Sequence, residues 1–121
     1  MKKFQIGIIS CGGTISMEKG RNGALEPKKT IGDILRAINL KEISSRIQIS
    51  SENRVELFKL DSTNLNQSHW RQIINCVEKM QDSCDGILIF HGTDTMAYSA
   101  TAVGLTICQK LKIPVVFTGA Q

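Results

Sequence analysis

The sequence predicts an α/β fold: a parallel sheet with flanking helices. Three observations lead there. Residues 4–10, 87–90 and 115–118 are short β-prone runs with few polar residues, the composition of strands buried on both faces. Between the last two runs, and before them, apolar residues recur at helical spacing, as on helices that cover a sheet. The order strand, helix, strand, helix, strand belongs to sheets whose crossovers are helices.

Along the chain, the first run closes on Gly12-Gly13, a buried strand followed by a tight turn. Residues 17–29 are polar and broken by Gly20, Asn22-Gly23 and Pro27, which predicts a mobile loop. Thr30 is placed to cap a short helix whose Ile31, Ile34, Leu35 and Ile38 keep helical spacing. Ile47 and Ile49 alternate with polar residues, and Val55, Leu57 and Leu60 end a second extended run. The clearest helix carries Trp70, Ile73, Ile74, Val77 and Met80 as one apolar stripe, with Asn66 placed to cap it. Asp85-Gly86 ends that element. After the 87–90 strand, a further helix is expected to turn Met96, Ala97, Ala100, Val103 and Ile107 inward, with Tyr98 in a packing role. Pro114 opens the last strand.

At 121 residues, 41% hydrophobic and 21% charged, the chain has the composition of one globular unit and not of a disordered tail or a fibrous repeat. No apolar run approaches the roughly 18 residues of a membrane span. Met1-Lys2-Lys3, the six apolar-rich residues 4–9 and Ser10-Cys11-Gly12 loosely resemble an export signal. Its apolar stretch falls short of the roughly 7–15 residues such a signal uses, so a buried first strand and a cytoplasmic location are expected. The net charge of +4 is uneven, with 11 basic and 6 acidic residues in 1–59 against 4 and 5 in 60–121. The basic residues are scattered singly without aromatic interleaving, so a nucleic-acid partner is not called for. Four cysteines without a Cys-x-x-Cys pair, and two histidines, make a metal site improbable.

In parallel sheets, ligands bind beyond the carboxyl ends of the strands, where the topology reverses. Three segments put hydroxyls, carboxylates and glycines there: Gly12-Gly13-Thr14, Asp61-Ser62-Thr63-Asn64 and Gly92-Thr93-Asp94-Thr95. A diglycine turn suits a phosphate, but neither G-x-G-x-x-G nor G-x-x-x-x-G-K-[ST] is present. Thr14 by itself reads as a surface residue of a structural turn, because a neutral threonine needs a partner to become a nucleophile. Asp94 by itself reads as a helix cap. His91 reads as a hydrogen-bonded structural residue more readily than as a base, and Ser62 and Thr63 are alternative caps for the helix of Trp70.

Taken together the motifs are familiar. Ile9-Ser10-Cys11-Gly12-Gly13-Thr14-Ile15 resembles the first signature of the bacterial-type L-asparaginases, and His91-Gly92-Thr93-Asp94-Thr95-Met96 resembles the second. Leu60-Asp61-Ser62-Thr63-Asn64-Leu65 with Trp70 is similar to the family's substrate-binding turn and the helix after it. The segment Pro114-Val115-Val116-Phe117-Thr118-Gly119-Ala120-Gln121 resembles the strand that follows. The resemblance implies a flavodoxin/Rossmann-like α/β domain that hydrolyses L-asparagine, and in some members glutamine, to the acid and ammonia with no cofactor. It implies Thr14 as the nucleophile that forms an acyl-enzyme and Thr93 as the second essential threonine, part of a Thr-Asp-Lys group. It assigns Asp94 to the substrate's α-amino group, and Asp61, Ser62 and Thr63 to the turn that holds its α-carboxylate.

Two departures bear on this. The loop after the first threonine has no tyrosine where many members place one, so the activating residue there is open. The family continues well past Gln121, and its catalytic lysine lies in that continuation; Lys110 and Lys112 end a helix and are not candidates. Residues 1–121 are therefore expected to be the N-terminal part of the first domain, with the C-terminal domain absent and the chain inactive by itself. The full-length form is expected to be a homo-oligomer. Two alternatives stand beside the asparaginase reading. One is the amidase subunit of a tRNA-dependent amidotransferase, which normally carries an extra N-terminal domain before its GGT motif. The other is a non-catalytic, amino-acid-binding or self-associating remnant, whose exposed apolar helix faces would favour association.

Overall fold

The computed structural model describes residues 2–38 and 44–120. Gln121, the last residue of the fourth motif, and Met1, the first of the signal-like stretch, lie outside the described residues. The elements run β1 (Phe4–Gly12), β2 (Met17–Lys19), β3 (Leu25–Pro27), α1 (Ile31–Ala37), β4 (Ile47–Gln48), β5 (Arg54–Leu60), α2 (Gln67–Met80), β6 (Gly86–Phe90), α3 (Met96–Ile107) and β7 (Val115–Thr118).

β1 is central. Its start pairs with β4 and its end with β5 on one side, and β6 lies on the other, with β7 beyond it; every one of these pairings is parallel. The register aligns Ile6–Ser10 with Gly86–Phe90, and the latter's 87–90 with 115–118. The chain thus moves outward from β1 to β5, crosses back through α2 to β6, and continues outward through α3 to β7. The reversal falls at β1, so the carboxyl ends of β5 and β6 flank the end of β1 and open a crevice there.

Side-chain alternation divides the core between the two faces of the sheet. Ile9, Cys11, Ile87 and Ile89 pack with Ile73, Val77 and Met80 of α2 and Val103 and Ile107 of α3. Ile8 and Phe90 pack on the opposite face with Ile31, Ile34 and Leu35 of α1. Full burial of each such side chain contributes about 1.5–3 kcal/mol. The caps follow expectation. Thr30 and Asp33 form a reciprocal capping box at α1, and Asn66 does the same with His69 at α2. The first N–H of α1, on Ile31, donates to Glu56 of β5 at 2.8 Å, which ties the helix to the sheet.

Four expectations are corrected. The last strand is not buried on both faces: β7 ends the strand order and its Val116 is 54% exposed, since an apolar run does not report whether a layer covers it. Residues 17–29 are not a free loop: β2 and β3 pair antiparallel, Met17 opposite Pro27 and Lys19 opposite Leu25. The glycines and Asn22 supply the connecting turn, closed by Gly20 N–H to Ala24 O at 2.7 Å, with Gly23 at φ 79°. Three-residue strands carry too little alternation to be read from sequence. The inward face of α3 is Ser99, Val103 and Ile107, while Ala97 is exposed. α3 is apolar nearly all round, so its pattern selects no face. Tyr98 does not pack; it is 70% exposed.

Burial also sorts the cysteines. It pushes the Cys11 thiol up to about 12, with neighbouring Cys76 adding to the effect, whereas Cys108 is exposed. Since the thiolate is the reactive form, iodoacetamide is expected to label Cys108 first and Cys11 only on unfolding. Peptide mass mapping after timed labelling checks this; native labelling of Cys11 at the rate of Cys108 would contradict the burial.

Candidate functional site

Three strand ends build the site. At the end of β1, Gly12 and Gly13 adopt φ 88° and 85°, a region L side chains avoid. The turn is held by Gly13 N–H to Leu60 O at 3.2 Å. The short 3-10 turn Thr14–Ser16 follows. Ser16 is buried and its hydroxyl donates to Gly13 O at 2.8 Å, while Thr14 is left exposed with no side-chain hydrogen bond among the described residues. Ser16 therefore anchors the turn and Thr14 is presented by it.

At the end of β5, Asp61 caps the 3-10 turn Ser62–Asn64 by accepting from Thr63 N–H and Thr63 Oγ1, each at 2.9 Å. Those two donors hold the Asp61 carboxyl below its ordinary range. At the end of β6, His91 and Gly92 are buried and Thr93, Asp94 and Thr95 emerge. Thr95 is the first residue before α3, and its hydroxyl donates to Ser62 O at 2.8 Å. Asp94 is not the helix cap that its position suggests: Thr95 takes the N-cap place, and no side chain caps the helix. Backbone contact stacks the three ends: a Cβ on Gly13 would stand 2.4 Å from Gly92 N, and one on Gly92 2.7 Å from Ser62 Oγ. Thr93 packs from the other side under Gly119, whose added Cβ would meet its Cγ2 at 3.0 Å.

The stack encloses a cavity of about 300 Å³, the space of about ten waters. Thr14, Thr93, Asp94, Asp61 and Ser62 line it over a floor of Gly13 and Gly92. Met17 of β2 and Leu25 of β3 close one side, so the hairpin is part of its wall. Among the described residues, larger grooves of about 860 Å³ along α3 and β7, about 470 Å³ between β5 and α2, and about 400 Å³ between Thr14 and α1 also exist. None of them brings two threonines and a carboxylate together, and the smaller cavity is the chemical one. Five of the six residues singled out from sequence thus meet on one wall. Thr63 does not line the cavity, because both its N–H and its hydroxyl are turned to Asp61. Among the described residues no group of three or more His, Cys, Asp or Glu is placed for a metal, and no helix is long and apolar enough to cross a membrane.

The family model described as Asparaginase, N-terminal matches residues 5–121. The chain belongs to the asparaginase family. A glutamyl-tRNA(Gln) amidotransferase subunit from Methanosphaera stadtmanae is 34% identical over 122 residues, covering 99% of this chain and 26% of that protein. Its counterpart from Methanosarcina acetivorans is 38% identical over 120 residues, with 97% and 26% covered. Among solved structures, L-asparaginase I of Vibrio cholerae superposes with TM-score 0.78 at 28% identity, over 99% of this chain and 35% of that one. The thermostable L-asparaginase of Thermococcus kodakarensis gives 0.73 at 30% identity, over 95% and 33%. The chain spans about a quarter of the length of the curated relatives it matches.

Within this asparaginase-family domain, one residue behind the site, Ser99, was not singled out from sequence. Trp70 Nε1 donates to Ser99 Oγ at 2.9 Å, and Ser99 Oγ lies 2.8 Å from His91 Nε2. The signal available was Trp70 itself, since a packed indole N–H needs an acceptor. His91 is structural, as expected, and fully buried. Burial holds its imidazole below the ordinary 6.5, opposed by its bond to Gly92 O. Unfolded His91 takes up a proton near that pH while the folded residue stays neutral, so stability is complete above about 6.5 and falls as pH drops below it. The melting temperature is expected to fall less between pH 7.5 and 5.5 in His91→Gln than in the parent; equal falls in both would remove His91 from that dependence.

Proposed function

We propose that this chain carries the nucleophile and part of the substrate site of an amidohydrolase that converts L-asparagine and water to L-aspartate and ammonia. The supporting observation is the convergence on one cavity of two hydroxyls, Thr14 and Thr93, and the Asp94 carboxylate, none with a side-chain hydrogen bond or ion pair among the described residues. Groups left without partners on a cavity wall are available to a ligand.

In this reading Thr14 Oγ1 attacks the side-chain amide carbon and its proton leaves to an acceptor in the Thr93 neighbourhood. The tetrahedral intermediate expels the amide nitrogen, which departs as ammonia once protonated, and water then cleaves the Thr14 ester. Asp94 binds the α-ammonium group. The Ser62–Asn64 turn, rigidified by Asp61, receives the α-carboxylate. Met17 and Leu25 shield the reacting centre. The reaction takes place in the cytoplasm, in a homo-oligomer, and glutamine is a second substrate to be compared. Ammonia release from L-asparagine by the protein that carries this chain, beside a Thr14→Ala control, tests the reading; turnover untouched by that substitution would refute it. Asp94→Ala is expected to act mainly on binding, raising KM roughly 100-fold through loss of a charge-assisted contact worth about 1.5–3 kcal/mol.

A second reading is favoured by the 34% and 38% identities to the amidotransferase relatives. There the same site would release ammonia from an amide donor for transfer to an acyl group carried on tRNA. Hydrolysis that appears only with a second protein and charged tRNA would select it.

A further inference from the structure

Behind the cavity floor, a hydrogen-bonded chain crosses from α2 through α3 to the end of β6. Trp70 Nε1 donates to Ser99 Oγ at 2.9 Å, Ser99 Oγ lies 2.8 Å from His91 Nε2, and His91 Nδ1 lies 2.6 Å from Gly92 O. Ser99 and His91 are both wholly buried. The direction of each bond follows from what each atom is able to do. A carbonyl oxygen only accepts, so His91 Nδ1 carries a hydrogen. Burial favours the neutral ring, which leaves Nε2 bare and accepting. The single Ser99 proton therefore points to Nε2, and the Ser99 lone pairs take the Trp70 N–H. Phe117 of β7 holds the ring edge-on, centroids 5.8 Å apart at 62°. The carbonyl gripped at the far end belongs to Gly92, directly before Thr93 and in contact with both Gly13 and Ser62.

We propose that Trp70, Ser99 and His91 form a one-way hydrogen-bond chain that fixes the Gly92 carbonyl and so positions Thr93 over the cavity. Ser99 and Trp70 are then positioning residues, neither touching a ligand. This deepens the amidohydrolase reading and rests on it for the role of Thr93, while the geometry of the chain is testable without it. A displacement of about 1 Å at a reacting group costs up to about 100-fold in rate, so loss of one bond in the chain is expected to cost about tenfold.

The experiment follows 15N-labelled histidine ring nitrogens and the Thr93 amide by NMR in the protein that carries this chain, with His91→Gln to assign the ring. The expected parent spectrum shows His91 as the Nδ1–H tautomer. Ser99→Ala is expected to mix the tautomers and move the Thr93 amide, and Ser99→Thr, which keeps the hydroxyl, to restore both. If Ser99→Ala does not fold, Trp70→Phe removes only the first donor and is expected to move the same signals less. An Nε2–H tautomer in the parent, or a Thr93 amide unmoved by every variant, overturns the proposal. Where the parent hydrolyses asparagine, Ser99→Ala is expected to lower kcat about tenfold with KM nearly unchanged; an unchanged kcat overturns the positioning role. A parent with no turnover at all overturns the amidohydrolase reading instead, and the spectra still decide the chain.

Discussion

Thr14→Ala is expected to reduce ammonia release from L-asparagine by about 10⁴–10⁶-fold, the scale seen when a hydroxyl nucleophile is removed. The fold should not register the change. Thr14 is exposed and its hydroxyl has no hydrogen-bond partner among the described residues, so its loss should move stability by no more than about 0.5 kcal/mol. Ser16, two residues on, holds the turn through its bonds to Gly13 O, so the backbone that presents position 14 survives. Thr14→Ser is expected to keep measurable turnover. Thr93→Ala should cost less, about 10²–10⁴-fold, as for a lost proton-transfer partner. Progress curves for the three variants at saturating asparagine separate the cases. If Thr93→Ala is the more damaging change, the two threonines have exchanged roles.

Gly13→Ala is expected to destabilise the domain by about 3–5 kcal/mol. Two effects combine there. The residue sits at φ 85° and ψ 180°, a combination that costs a residue with a Cβ about 1–3 kcal/mol. The new carbon would also stand 2.4 Å from Gly92 N and 2.5 Å from Gly92 Cα. Both are backbone atoms and cannot swing aside, and overpacking of that kind costs about 1–3 kcal/mol more. Gly23→Ala is the control: it shares a positive φ of 79° but has nothing within 4 Å, so it should lose only about 1 kcal/mol. Urea unfolding of the two variants measures the difference. Equal losses would mean that the contact between the ends of β1 and β6 carries no energy.

The helices show where local information suffices. Asn66 caps α2 and Thr30 caps α1 as their side chains require, because a cap is settled within four residues. The Trp70 to Met80 stripe has a single apolar side and found the sheet. α3 offers apolar residues on most sides, so its orientation is decided by what lies beneath it. There His91 Nε2 and Trp70 Nε1 both lie in hydrogen-bond reach of Ser99, and the helix turns Ser99 inward over Ala97. The hairpin of β2 and β3 is hidden for the opposite reason, since each strand is three residues long. Its arrival at the cavity, with Met17 and Leu25, had no local signal at all.

By itself, then, the sequence determined the fold class, the strand ends, and the residue types standing at each of them, and through its motifs the family. These are local properties of backbone angle, apolar period and turn chemistry. Only the tertiary structure decided which ends meet. An apolar run marks a strand but not which strand lies beside it, because ladder hydrogen bonds are alike from one strand to the next. Placing β5 and β6 on opposite sides of β1 brings Ser62, Thr93 and Thr14 to one cavity from positions far apart in the chain. The same placement leaves Thr63 facing Asp61 and puts Ser99 behind the floor.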